Sequence, residues 1–176
     1  MNVNLKDFSI KRLKKQDLKK ILSLRNQYKI RNSMLNKNII SLRDHQEWYK
    51  KMKVNKFYYF YCFFFKGKII GAGYANNFNL KKKFCSWGLY RDQKIKSKIK
   101  LGSILKYLLI KKIFKLKKIN YIKTQVIKGN ERVKDWYESW GHQYVGYNKK
   151  NKYYNLILSK KNWNKKLLLH KKRIVS

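Results

Sequence analysis

The period of apolar and polar positions changes repeatedly along the chain, and each change predicts an element. Residues 3–12 read as a first strand. Asp17 is placed as N-cap for a helix whose apolar positions Leu18, Ile21 and Leu22 share one face. Ser41 caps a second helix, with Asp44 three residues on and Trp48 and Met52 as an i, i+4 apolar pair. Two β-rich runs, 57–65 and 68–77, are joined by the hairpin signal Lys66-Gly67, and 84–90 reads as a further strand. The clearest helix is 102–116, where Leu101, Leu105, Leu108, Leu109, Ile113 and Leu116 recur at 3.6-residue spacing. Residues 121–127 form the next strand, and Asn130 opens a short helix that Gly141 closes. Strands at 143–147 and 153–158 flank the turn Lys149-Lys150-Asn151. Residues 160–173 read as a basic tail with one apolar patch, Leu167-Leu168-Leu169. This order predicts an α/β or α+β layout with a mixed sheet in a domain spanning 1–159, followed by a basic tail, 160–176.

The length of 176 residues suits one domain, which buries roughly 70% of its unfolded surface. With 44% hydrophobic and 16% aromatic residues, disorder is excluded. Cys62 and Cys85 cannot build a disulfide framework, and no C-x-x-C pair is present for zinc. Residues 1–17 lack the apolar centre of a signal peptide. The longest apolar run has nine residues, about half of what a bilayer span takes. A cytoplasmic protein without a membrane span is expected.

The net charge of +38 would ordinarily point to nucleic acid. Other skews qualify it. Pro is absent, Ala occurs only at 72 and 75 and Thr only at 124, while Lys, Asn, Ile, Tyr and Phe abound. The favoured residues have AT-rich codons, so part of the lysine excess reflects genome composition filling solvated positions. The lysines spread from Lys6 to Lys172 without clustering, and no specific nucleic-acid partner is expected.

Three places carry candidate chemistry. Trp87-Gly88-Leu89-Tyr90 ends a strand ahead of a basic loop and Gly102 at a helix start. That is an ordinary connection or, through free backbone N–H groups and the helix dipole, a phosphate site. The Asn130–Gly141 segment reads either as a packed helix, with Trp136 and Trp140 in the core, or as one bringing the Tyr137 phenol to that loop as a proton donor. The third place holds Leu24-Arg25-Asn26, Ile30-Arg31, Met34, His45 and Trp48. Arg is scarce, seven against thirty-nine Lys, which hints at a need for planar bidentate geometry. Taken alone, His45 reads as a helix-surface residue. The three histidines are far apart in sequence, without acidic or Cys neighbours at ligand spacing, so no metal site is expected.

In this order, the three places resemble the GNAT superfamily of acetyl-CoA-dependent N-acetyltransferases. Asn130, Tyr137 and Gly141 are similar to the N-x(6)-Y-x(3)-G pattern of its last helix. Leu24-Arg25-Asn26, Ile30-Arg31, Met34, His45 and Trp87-Gly88-Leu89-Tyr90 resemble the aminosugar N-acetyltransferases of pseudaminic acid biosynthesis, which acetylate the 4-amino group of a UDP-4-amino-4,6-dideoxy-altrosamine. The similarity covers about residues 5–158. It implies a mixed, mostly antiparallel sheet of about seven strands, splayed in the middle, with about four helices on its faces. It also implies acetyl-CoA as co-substrate, without a metal. By that resemblance Tyr137 protonates the departing thiolate. Leu89, Tyr90, Lys98, Lys100, Leu101, Gly102, Ser103 and Asn130 face acetyl-CoA, and Arg25, Asn26, Arg31, Met34, His45 and Tyr90 face the UDP-aminosugar. Two departures stand out. Of the cofactor loop pattern [QR]-x-x-G-x-[GA], Ser97-Lys98-Ile99-Lys100-Leu101-Gly102 keeps only the last glycine, and Ser86 stands where many relatives have glutamate. A homodimer is kept open as the assembly. The rival readings are acetylation of a protein N-terminus or a small amine, and a non-catalytic basic nucleic-acid-binding protein.

Overall fold

The computed structural model describes residues 4–34, 36–96, 99–116 and 119–175. A 3-10 turn at Leu5–Asp7 precedes β1 (Phe8–Arg12), and a second at Lys15–Asp17 leads into α1 (Leu18–Arg25), α2 (Tyr28–Asn32) and α3 (Leu42–Val54). The hairpin β2 (Tyr59–Phe65) and β3 (Lys68–Asn79) is followed by β4 (Phe84–Arg91), α4 (Leu101–Ile113) and β5 (Tyr121–Ile127). The chain ends with α5 (Glu131–Ser139), β6 (Gln143–Asn148), β7 (Tyr153–Ser159), α6 (Lys160–Lys165) and α7 (Leu167–Val175). The strands form one sheet in the order β1-β2-β3-β4-β5-β7-β6. Every neighbouring pair is antiparallel except β4 and β5. The seven described helices exceed the expected four through one-turn α2 and the C-terminal α6 and α7.

Two cores explain why β2 is an unbroken apolar run and not an alternating one. A sheet covered on both faces wants apolar side chains on both. Tyr61 and Phe63 pack toward α4, whereas Phe60 and Cys62 pack toward α1 and α3. The α4 stripe seen in the sequence fills the first core with Leu101, Leu105, Leu109 and Ile113. On the other face, Leu18, Ile21, Leu24, Ile30 and Met52 seat α1–α3.

The expected helix starts fare differently. Ser41 does cap α3: its hydroxyl accepts from the Asp44 amide at 3.1 Å and donates to the Asp44 carboxylate at 2.7 Å. Asp17 does not cap α1. Its own backbone is already helical, and its carboxylate accepts from the Lys14 amide, closing the 3-10 turn instead. Asn130 starts α5 without a side-chain cap bond. Gly141 follows α5 at φ 90° and donates its amide to the Glu138 carbonyl, as a left-handed closing residue should.

Residues 160–173, read as a basic tail with one apolar patch, form two helices that contribute to the core. The Leu167-Leu168-Leu169 patch does little of this, since Leu168 and Leu169 are exposed. Trp163, His170 and Ile174 are buried instead. His170 lies between Trp140 at 4.6 Å and Trp163 at 4.7 Å, stacked on both. The apolar positions that seat these helices are single residues spaced along a lysine-rich stretch, so the polar majority hid them. Trp163→Ala is therefore expected to destabilise the protein by about 3–5 kcal/mol in chemical denaturation. A loss below about 1 kcal/mol would show the helix pair merely resting on the surface.

Candidate active site

The parallel pair β4 and β5 is joined over only three residues, Phe84–Ser86 against Tyr121–Lys123. Beyond it β4 runs on to Arg91 and β5 to Ile127 with no ladder between them. The first residues past the last rung are Trp87 and Thr124, and side chains bridge them. The Trp87 indole donates to Thr124 Oγ1 at 2.6 Å. Thr124 lies 3.2 Å from His142 Nδ1, and burial lowers the pKa of that imidazole well below its ordinary value. The neutral ring can then accept the threonine proton. On β4, Gly88 is required sterically, because a Cβ there would lie 2.6 Å from the Tyr74 ring.

A cavity of about 1150 Å³ occupies the splay and reaches from Arg25, Met34 and His45 past Gly88, Leu89 and Tyr90 to Asn130 and Tyr137. A second, of about 220 Å³, lies at the start of α4, lined by Arg91, Lys100, Leu101, Gly102 and Ser103 and walled by Trp136. No side chain caps this helix, and Lys100 sits at φ −76°, so the lysine in the first glycine's place is unstrained. Space is open above Gly102. An uncapped helix start, a guanidinium and a lysine around an open glycine fit the diphosphate of coenzyme A. Lys98 lies outside the described residues.

Tyr137, on α5, turns toward the splay, with Trp87 at 5.6 Å and His142 at 5.0 Å. Burial raises its pKa, so the phenol keeps its proton at neutral pH. On the opposite side of the cavity His45 is buried, not surface-lying as its sequence context suggested. It stacks on Trp48 at 4.9 Å, and burial lowers its pKa although a hydrogen bond at the Leu18 backbone opposes this. Trp48 meets Phe60 edge-on at 5.1 Å, and Phe60 stacks on Tyr74, giving an aromatic wall. Met34 and Tyr90 complete it.

Two expected ligand residues are spent elsewhere. Asn26 exchanges both amide bonds with the Ile40 backbone, at 2.9 and 3.0 Å. Arg31 donates to the carbonyls of Asn26 and Lys37. Both clamp the segment between α2 and α3 and do not line either cavity. Arg25 is half spent: one amino group donates to the Asn36 carbonyl at 2.8 Å, while Nη1 is buried without a partner, so a full fork is not free. His45 Nε2 and Asn76 Oδ1 are likewise buried and unpartnered at this cavity. Sequence reasoning passed over Asn76, Arg91 and Thr124; for Thr124 the signal was its being the chain's only threonine.

A model of the family described as acetyltransferase (GNAT) domain matches residues 10–158. Acetyltransferase PseH of Campylobacter jejuni subsp. jejuni serotype O:23/36 (strain 81-176) is 26% identical over 156 residues, 89% of this chain and 93% of that protein. Among solved structures, apo FdhC, a nucleotide-linked sugar GNAT, matches with a TM-score of 0.81 at 20% identity, over 100% of this chain and 99% of that one. The spermidine N-acetyltransferase from Vibrio cholerae in complex with CoA and spermine matches at 0.78 and 16% identity, over 90% and 99%. At such identities the two structures share the fold.

The side-chain bridge at the splay yields an expectation of its own. Thr124→Val leaves the buried Trp87 indole without an acceptor and should cost about 1–3 kcal/mol. Urea unfolding of the variant measures this, and an unchanged midpoint would remove the bridge from the account.

Proposed function

Because the chain belongs to the GNAT acetyltransferase family, with acetyl-CoA as acetyl donor, we propose that it N-acetylates an aminosugar carried on a nucleoside diphosphate. The fitting class is the UDP-4-amino-4,6-dideoxy sugars of a pseudaminic acid-type pathway. One observation carries the choice of acceptor: Asp44 is the only carboxylate among the described residues lining the large cavity, against Arg25, Lys29, Arg91 and Lys123. A polycation such as spermidine wants carboxylates; a nucleoside diphosphate wants this lining. PseH and the nucleotide-linked sugar GNAT FdhC support the same reading by likeness. The rival acceptors, a protein N-terminus or a small amine, lack such a supporting feature.

In the proposed site the Arg25 and His45 side chains supply polar contacts for the sugar nucleotide. The aromatic wall and Met34 suit the methyl face of a 6-deoxy sugar. Lys100, Leu101, Gly102, Ser103 and Arg91 hold the diphosphate of acetyl-CoA, with Asn130 beside the reacting end. The neutral amine attacks the thioester carbonyl directly. Backbone amides along the unpaired edge of β4 near Leu89 take up the charge that develops on oxygen. Tyr137 donates its proton to the departing sulfur. Ser86 is no base at neutral pH, so the proton of the new amide leaves through water in the cleft.

Tyr137→Phe is expected to lower kcat by about 10²–10⁴-fold while leaving the acetyl-CoA Kd nearly unchanged. Unaltered turnover would return Tyr137 to a packing role. For the acceptor, coenzyme A release is compared across UDP-4-amino-4,6-dideoxy sugars, spermidine and peptides. The sugar nucleotides should turn over fastest, with Arg25→Ala raising their KM and sparing that of acetyl-CoA. Faster turnover of spermidine or a peptide would overturn the substrate and leave the family membership intact.

A further inference from the structure

Behind Tyr137 lies a group that the reaction above does not use. Lys106, on α4, is fully buried, and its Nζ has no hydrogen-bond partner. It sits among three rings of α5 and its C-cap residue, 4.3 Å from the centroids of Trp136 and Tyr137 and 5.0 Å from that of Trp140. Genome composition places lysines where water reaches the ammonium; it gives no reason for one here. An unpaired buried ammonium costs several kcal/mol, which a methionine of similar shape would avoid.

The groups that act on this cage are basic or phenolic. They are His142 after α5, His170 and Arg173 on α7, Lys166 before α7, and Tyr74 of β3 beside Tyr137. Burial and the Arg173 guanidinium push the Lys106 pKa well down. The three π-faces favour the ammonium and act the other way. A nearby negative charge would add to them.

The fold supplies a place for that charge. Gly102 and Lys106 are i, i+4 on α4, so they share a face about 6 Å apart along the axis. Trp136 is at once a wall of the anion cavity and a wall of the cage. A diphosphate in that cavity therefore lies one indole away from Nζ.

We propose that Lys106 takes up a proton as the anionic cofactor binds, and that its ammonium, lying over the Tyr137 ring, steadies the phenolate formed during acetyl transfer. The second half rests on the acid role proposed for Tyr137. As the thioester C–S bond breaks, its electron pair goes to sulfur, and the Tyr137 proton follows. The charge left on the phenolate, part of it spread into the ring, then lies beneath an ammonium instead of a neutral apolar wall. Water in the cleft returns a proton to the phenolate, and Lys106 releases its own when coenzyme A leaves. Lys106 acts through Tyr137 and is a positioning residue.

Calorimetric titration of coenzyme A into the full chain, near neutral pH in buffers of different ionisation enthalpy, reads the proton directly. Net proton uptake is expected for the unaltered protein and for Tyr137→Phe, and none for Lys106→Met. No uptake by the unaltered protein would overturn the proposal. Uptake retained by Lys106→Met would assign it to His142 or His170 and overturn it equally. Since Tyr137→Phe keeps its uptake, failure of the acid role reads out separately, in its unchanged kcat. In turnover, Lys106→Met should lower kcat about tenfold, the equivalent of one pKa unit, and should also weaken coenzyme A binding and flatten its pH dependence, because the proton taken up is linked to binding. On the Tyr137→Phe background it should lower kcat no further; equal losses on both backgrounds would mean packing alone and sink the proposal. Lys106→Gln carries the same expectations should the methionine variant not fold.

Discussion

The hydrogen bond from the Trp87 indole to Thr124 Oγ1 is the constraint on which the site depends. It stands one residue beyond the last rung between β4 and β5. A continued ladder would close the sheet and leave no cavity; free strands would leave backbone groups without order. Side chains bridge the gap at the point where backbone pairing stops, so the strands diverge from a fixed origin. His142 joins the bridge from the far side of α5, and through it Tyr137 is held at a set distance from the opening. The divergence, the Tyr137 phenol and the edge of β4 are thus parts of one packed unit.

Two sets of demands meet across that unit. The small cavity at the start of α4 and the cationic rim of the large cavity are both built from a lysine-rich chain, which makes function hard to separate from composition. Burial separates them. Most lysines are exposed and reflect solvated filling, whereas Arg25, His45 and Asn76, each with a buried polar atom that has no hydrogen-bond partner, line the same cavity. Unpaired polar atoms of this kind are tolerated where something else is to pair with them.

Much of the fold was legible from the sequence, because its elements depend on local pattern. The stripe on α4, the Lys66-Gly67 hairpin and the span of β5 follow from spacing and turn chemistry within a few residues. What escaped depends on tertiary partners. Asp17 looks like a cap, but its backbone had already entered a 3-10 turn. Asn26 and Arg31 look like ligands, yet the segment before α3 consumes their hydrogen bonds. In Leu105-Lys106-Tyr107 the lysine reads as one more surface charge, and only the arrival of α5 and α7 makes it a core residue. The spacing of Asn130, Tyr137 and Gly141 singles out α5 without telling what stands behind it.

That α6 and α7 complete the core has a consequence for synthesis. The chain emerges from the ribosome in order, so α5 appears before the helices that clamp it. Until Trp163 and His170 arrive, Trp140 has an open face, and the Arg173 guanidinium does not yet hold the Ser139 carbonyl at the end of α5. The helix bearing Tyr137 is therefore consolidated late, after the sheet around the cavity has formed. A nascent chain stalled beyond β7 would hold every strand of the sheet with a loosely seated α5, a state prone to capture by chaperones.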